Sequence, residues 1–573
     1  MTVIARTPPQ DLRWRWLLLV VLAASSLGAG LGLREPSPPD EPRFVLAARH
    51  MVESGDWLVP QRGREFYAEK PPVFMWLQAA AYTLTGNWRV AFLLPSWLAA
   101  LATLGLTWDL ARRLWNRRVA LHAAAALWVC LQFGLQARRG QIDMVLVAMT
   151  TLALWGLLRH LLRGPAPRAL WLGAFAAGVG TVTKGVGFLP LLVVLPWLFA
   201  RRTGAPPADV RPFATWAGAG LAFLAGTALW LGPLLAALAA GDDPALRAYA
   251  QELVFKQTAA RYAHAWHHVQ PAWYYLQVIA TLWLPGALLL PWLLPAWWRR
   301  LRRGDRRQIL LLGWGALVLV FFSASPGKRE VYLFPALPAL CLAAAPLLPA
   351  LLRRRGVQWL LGAYLLVAAL VATHLAAGGL SGLHSWAQGL AAQRGIASDA
   401  LRRFLLGLLA LGLAGLALAA WSRLRRGGTA LAVFTAVLWT TYGLALAPAL
   451  DATASTRGLM ARVGTRIGPA AELGMVAWRE QNLLQADRPV TEFGFKQPWH
   501  LQWQEAAAWG AAAPRDRWLF VLDEALSPCV ARAEALPIGT SNRRNWLLVP
   551  ATAIRSGCVT PPFVEESEPA DGD

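Results

Sequence analysis

The chain predicts an all-α polytopic membrane protein with a small α/β domain at its C-terminal end. Three observations lead there. Hydrophobic residues fill 56% of the 573 positions and charged residues only 15%, where a soluble chain carries about 25%. Apolar runs of about 20 residues, each long enough to cross a ~30 Å hydrocarbon core, recur along most of the length. After about Ala449 the pattern changes to short strand-like runs separated by polar turns.

Taken in order, Arg6, Arg13 and Arg15 flank an apolar run over 14–33 and place the N-terminus in the cytoplasm. That run lacks an A-x-A-like cleavage site and reads as a retained helix. Further spans are expected near 88–111, 119–137, 143–161, 168–183, 186–200, 213–238, 273–297, 308–323, 331–349, 357–377, 402–421 and 429–448, about thirteen in all. Orientation has an independent check, because the connectors 112–118, 159–168, 201–211, 299–307, 353–355 and 423–426 are all rich in arginine. This positive-inside pattern accounts for the net charge of +23 and leaves no reason to invoke nucleic acid. Residues 34–87 and 240–272 then form two large outside loops, with Val73–Thr85 as a helix along the surface.

The division that follows is a transmembrane domain over 1–449 and an outside domain over 450–573. The latter should hold a helix over 456–481, strands near 490–495, 518–522 and 546–549, and a disordered acidic tail. Cys130 and Cys341 fall in apolar runs and read as inert packing. Cys529 and Cys558 share the outside domain, where an oxidising compartment permits a disulfide.

The chemistry collects on the outside face. The stretch from Asp40 to Pro72 holds Asp40, Glu41, Arg43, Glu69 and Lys70 beside aromatics and prolines, more than a plain connector needs. Asp143 begins one span and Lys184 ends another, and ionisable groups at such depths usually face a polar cavity. Cations beside carboxylates suit an anionic substrate group such as phosphate, leaving a carboxylate to act as base or to orient the acceptor. Adjacent His267 and His268 point apart on a helix and are a weak metal signal alone. A transporter would place charges in both membrane halves and show internal repeats; the charges lie on one face and no repeat is evident.

Five motifs carry a resemblance: DEPRF…ESGDW…EKPP after the first span, IDM, TKG, R…H..PAWYYL, and FFSASPGKREVYLFPALPAL. Together, over about residues 10–350, they resemble the ArnT and protein-mannosyltransferase-like family of GT-C glycosyltransferases, which use polyprenyl-phosphate sugar donors. The resemblance implies a GT-C-like fold with Asp40 and Glu41 as the catalytic signature and Asp143 orienting sugar or acceptor. It implies that Lys70, Arg261, Lys328 and Tyr332 contact the donor phosphate, with Arg43 and Lys184 as further cations of the same face. A divalent ion (zinc, magnesium or manganese) near Glu69 and His268 fits some members, and no organic cofactor is implied. The chain departs from the aminoarabinose-transferase pattern at Phe44 and Met144. The expected activity is inverting transfer of a sugar from undecaprenyl phosphate to lipid A, another envelope glycan or a protein, outside the bacterial inner membrane.

Overall fold

The computed structural model describes residues 9–202, 213–241, 243–253 and 269–563. All thirteen apolar runs are helical, but they do not make thirteen straight spans. Seven helices among the described residues are long and apolar enough to cross a membrane: Trp88–Leu114, Ile142–Arg163, Phe213–Ala240, Arg306–Ala324, Arg355–Ser381, Ser398–Ser422 and Gly427–Ala454. Two bent pairs raise the count to at most nine. Arg117–Trp128 and Leu131–Ala137 meet at 69°, and Tyr274–Leu282 and Gly286–Arg302 at 101°. Pro285 lies in the second break, where its missing N–H cannot continue the hydrogen-bond ladder. The runs at 186–200 and 331–349 give only the short apolar helices Leu189–Ala200 and Glu330–Ala344. The chain is a multi-pass membrane protein with an all-helical membrane region.

The Asp40–Pro72 stretch is folded. Asp40 precedes the helix Glu41–Ser54, which has proline at its first turn and ends at Gly55 with φ 77°. A two-stranded hairpin follows, β1 (Gln61–Arg62) antiparallel to β2 (Glu65–Phe66). Pro72 then precedes the helix Val73–Thr85, which has the bounds expected from the sequence.

The C-terminal domain has one mixed sheet. Its strands are β3 (Glu472–Val476), β4 (Val490–Glu492), β5 (Arg517–Leu522), β6 (Leu536–Ser541) and β7 (Arg544–Pro550), in the order β4-β3-β5-β7-β6. β3 runs parallel to β4 and β5, while β7 is antiparallel to β5 and β6. Trp503, Phe520 and Trp546 are among the large side chains fully buried in its core. The single helix expected over 456–481 ends at Ile467, because Gly468 takes φ 76° and Pro469 follows; the chain then turns into β3. Cys529 and Cys558 are bonded, with Cα atoms 5.6 Å apart. Cys130 and Cys341 are free and buried. The acidic tail lies outside the described residues, from 564 onward.

Candidate active site

Asp40 sits where the first loop meets the head of the helix Ile142–Arg163 and the segment before Glu330. Its carboxylate accepts a hydrogen bond from Gln141 Nε2 at 2.7 Å. Arg329 Nη2 approaches Oδ2 at 3.3 Å and Arg43 Nη1 approaches Oδ1 at 3.8 Å. Burial would raise the pKa of this carboxyl, but Arg329, Arg43, Lys70 and Lys184 together hold it below its usual range. Two arginines from distant parts of the sequence thus meet at one carboxylate, and two lysines add to the positive field on it.

The adjacent Asp143 is paired with Lys184, and the Lys184 ammonium lies over the Tyr332 ring, 5.2 Å from its centroid. Gly140, just upstream, packs against Phe92 so closely that a Cβ there would fall 2.9 Å from the Phe92 carbonyl oxygen. That close approach fixes where Gln141 and Asp143 begin their helix.

Glu41 makes a separate set of contacts. It accepts from both terminal nitrogens of Arg34, at 2.5 and 2.7 Å, and from the backbone N–H groups of Ser37 and Gly140, at 2.9 and 2.8 Å. This ties the first loop to the start of the Ile142–Arg163 helix. Arg138 reinforces the junction by donating to the carbonyls of Ser26 and Leu27, at the end of the first helix.

The remaining predicted residues fall into three situations. The Lys70 ammonium donates to the Glu69 carbonyl at 3.0 Å, and its charge helps to hold the Asp40 carboxyl below its usual range. Lys328 is buried, and its ammonium donates to the carbonyls of Ser325, Gln270 and Pro326 at 2.7, 3.1 and 3.4 Å. It clasps two segments also joined by the Val269–Gly327 bridge. Arg261 and the histidines 264, 267 and 268 lie outside the described residues.

Glu69 sits between Arg43 and Arg62, at 3.4 and 3.5 Å. Among the described residues no group of three or more His, Cys, Asp or Glu side chains could hold a metal ion. A carboxylate bridging two guanidinium groups is a poor ligand, so the described donors do not fit a metal.

Sequence reading missed two contributors. Arg329 contacts Asp40 where neighbouring Lys328 was favoured, and the signal was present in the Lys328-Arg329-Glu330 run without saying which cation faces the carboxylate. Glu480, from the C-terminal domain, reaches Arg62 at 3.0 Å and Arg43 at 3.6 Å. No local pattern marks it.

The structure thus joins a helical membrane region to a small α/β domain, with Asp40 set among basic side chains on the first loop. The structure aligns with ArnT of Cupriavidus metallidurans bound to undecaprenyl phosphate over 97% of this chain and 100% of that one, with TM-score 0.71 and 20% identity. The apo form of the same enzyme gives TM-score 0.69 at 22% identity. These likenesses show the fold.

Residues 69–231 match the family described as dolichyl-phosphate-mannose-protein mannosyltransferase. The chain is 30% identical over 335 residues to an undecaprenyl phosphate-α-4-amino-4-deoxy-L-arabinose arabinosyl transferase of Pseudomonas fluorescens, covering 56% of this chain and 54% of that protein. It is 31% identical over 320 residues to the Pseudomonas aeruginosa counterpart, covering 53% and 54%. The chain thus spans about half the length of the curated relatives it matches. The resemblance to the ArnT and protein-mannosyltransferase-like GT-C family is present in both sequence and fold.

Proposed function

We propose that this chain is an inverting glycosyltransferase of the bacterial inner membrane that moves a sugar from undecaprenyl phosphate to lipid A, as an aminoarabinose transferase does. Its N-terminus would lie in the cytoplasm and its C-terminal domain in the periplasm. The observation that carries this reading is the Asp40 carboxylate, met by Arg329 at 3.3 Å and Arg43 at 3.8 Å and further stabilised as an anion by the charges of Lys70 and Lys184. Relatives named for arabinosyl transfer and a neighbour holding undecaprenyl phosphate support the donor class.

In the reaction an acceptor oxygen attacks the anomeric carbon, the bond from that carbon to the phosphate oxygen breaks, and the electron pair leaves with undecaprenyl phosphate. The leaving group is already stable, so catalysis requires charge stabilisation and positioning more than proton donation. Lys70 and Arg329 would take the phosphate charge, while the Asp143–Lys184 pair orients the sugar. A carboxyl held below its usual range is a weak base. That favours an acceptor that is already anionic, such as a lipid A phosphate, over a protein hydroxyl that must lose its proton, and gives Asp40 a positioning role.

The test is transfer from an undecaprenyl-phosphate sugar to lipid A in liposomes. Asp40→Asn and Lys70→Ala should each lose about 10²-fold or more in rate while still inserting normally. Arg353→Ala, exposed at a remote connector, should be nearly silent. Near-normal turnover by the Asp40 and Lys70 variants would remove this site from the chemistry.

A further inference from the structure

The C-terminal domain contributes a buried anion to the loop that carries Asp40. Glu480 Oε1 stands 3.0 Å from Arg62 Nη1 and 3.6 Å from Arg43 Nε, and Glu69 bridges the same two arginines. All four side chains are largely shielded: Arg62 is 4% exposed, Arg43 and Glu480 7%, and Glu69 16%. Two guanidinium groups and two carboxylates make a neutral quartet, and Arg43 links it to Asp40. The Arg62 guanidinium carbon also lies over the ring of Phe495, from the C-terminal domain, 3.7 Å from its centroid. The domain therefore holds Arg62 by both charge and an aromatic face.

We infer that Glu480 is a positioning residue for transfer: by fixing Arg43 and Arg62 it sets the places of Asp40, Glu69 and Lys70, so the C-terminal domain completes the site. This rests on the reading of Asp40 and Lys70 above. Without the Glu480 charge the quartet carries one excess positive charge in a buried place, and Arg43 must draw on the carboxylates that remain. Among the described residues, those in contact with Arg43 are Glu69 and Asp40. Moving Glu69 moves Lys70, its chain neighbour; moving Asp40 disturbs its contacts with Gln141 and Arg329. Misplacement by about 1 Å costs up to about 10²-fold in rate.

A comparison within one docking face separates positioning from mere attachment. Glu505 pairs with Arg64 at 2.7 Å on the rim of the same face, where both side chains are more than two-fifths exposed. The full chain in liposomes is assayed as wild type, Glu480→Gln, Glu480→Asp, Glu505→Gln and Asp40→Asn, with donor KM and kcat taken separately. Glu480→Gln should lower kcat by about 10²-fold and move donor KM by less than about threefold. Glu480→Asp, which keeps the charge, should recover part of the loss, and Glu505→Gln should turn over normally. Wild-type kcat in Glu480→Gln, an equal loss in Glu505→Gln, or a Glu480→Asp variant no better than Glu480→Gln each overturns the inference. Asp40→Asn keeps the two readings apart. If it is inactive while Glu480→Gln is normal, only the positioning role fails; if it is active, the transfer site itself is wrong.

Discussion

Asp40 and Glu41 are neighbours in sequence and perform different work. Asp40 faces several cations at 3.3 Å or more, while Glu41 is sealed against one arginine and two backbone donors. Burial would push the Glu41 carboxyl up, but Arg34, Ser37 and Gly140 hold it below its usual value of 4.5. A folded-state pKa below the unfolded one gives stability that is present in full above the unfolded value and is lost as pH falls through the folded value. Glu41→Gln leaves Arg34 buried without its partner, which costs about 3–5 kcal/mol at neutral pH. Thermal melts in detergent should show that deficit at pH 7, and the gap to wild type should narrow as pH drops below 4.5. Equal melting at pH 7 would mean the pair contributes nothing net. For Asp40 the same sign means it stays ionised to below its ordinary range, so it should add no acid limb to the transfer rate above about pH 4.

At the scale of elements, the helices Ile142–Arg163 and Pro167–Lys184 form an antiparallel hairpin whose open end carries the Asp143–Lys184 pair. Small residues let the two backbones approach: a Cβ on Gly156 would meet the Ala169 carbonyl oxygen at 2.2 Å. The pair is also oriented with the helix dipoles, an acid in one first turn and a base in the other's last turn. Asp143→Asn strands the Lys184 charge, so pairing it with Lys184→Met should restore stability. A double-mutant cycle by thermal melting should return a coupling of about 0.5–3 kcal/mol, with all three variants deficient in transfer. Strict additivity would show that the two helices are held by packing alone. Asp143 and Lys184 were legible in the sequence as charges at span ends. The bends near Cys130 and Pro285 were not, because an apolar run of span length reads the same whether straight or broken.

For the whole molecule, the helical membrane region and the first loop could be read from the chain because hydropathy is a local signal, whereas the number of spans could not. The choice of Arg329 over Lys328 depends on which way one turn faces, and Glu480 meets Arg62 across 418 positions, which no local pattern records. The proposed site also requires that the first loop and the C-terminal domain share the periplasmic side, and that can be measured. Gly63 would be a poor probe, since it has φ 62° and a Cβ there would fall 2.7 Å from Glu492. Glu53, Asp399 and Glu472 are better, with side chains 60%, 68% and 56% exposed. Background labelling should be low, because Cys130 and Cys341 are buried and Cys529 is bonded to Cys558. Cysteines at those three positions should react with a membrane-impermeant maleimide in spheroplasts, while one at exposed Arg303 should react only after lysis. Labelling of Arg303→Cys in intact spheroplasts, with the other three silent, would invert the chain and place Asp40 and Glu480 in the cytoplasm. Both would then lie on the wrong side for a periplasmic acceptor.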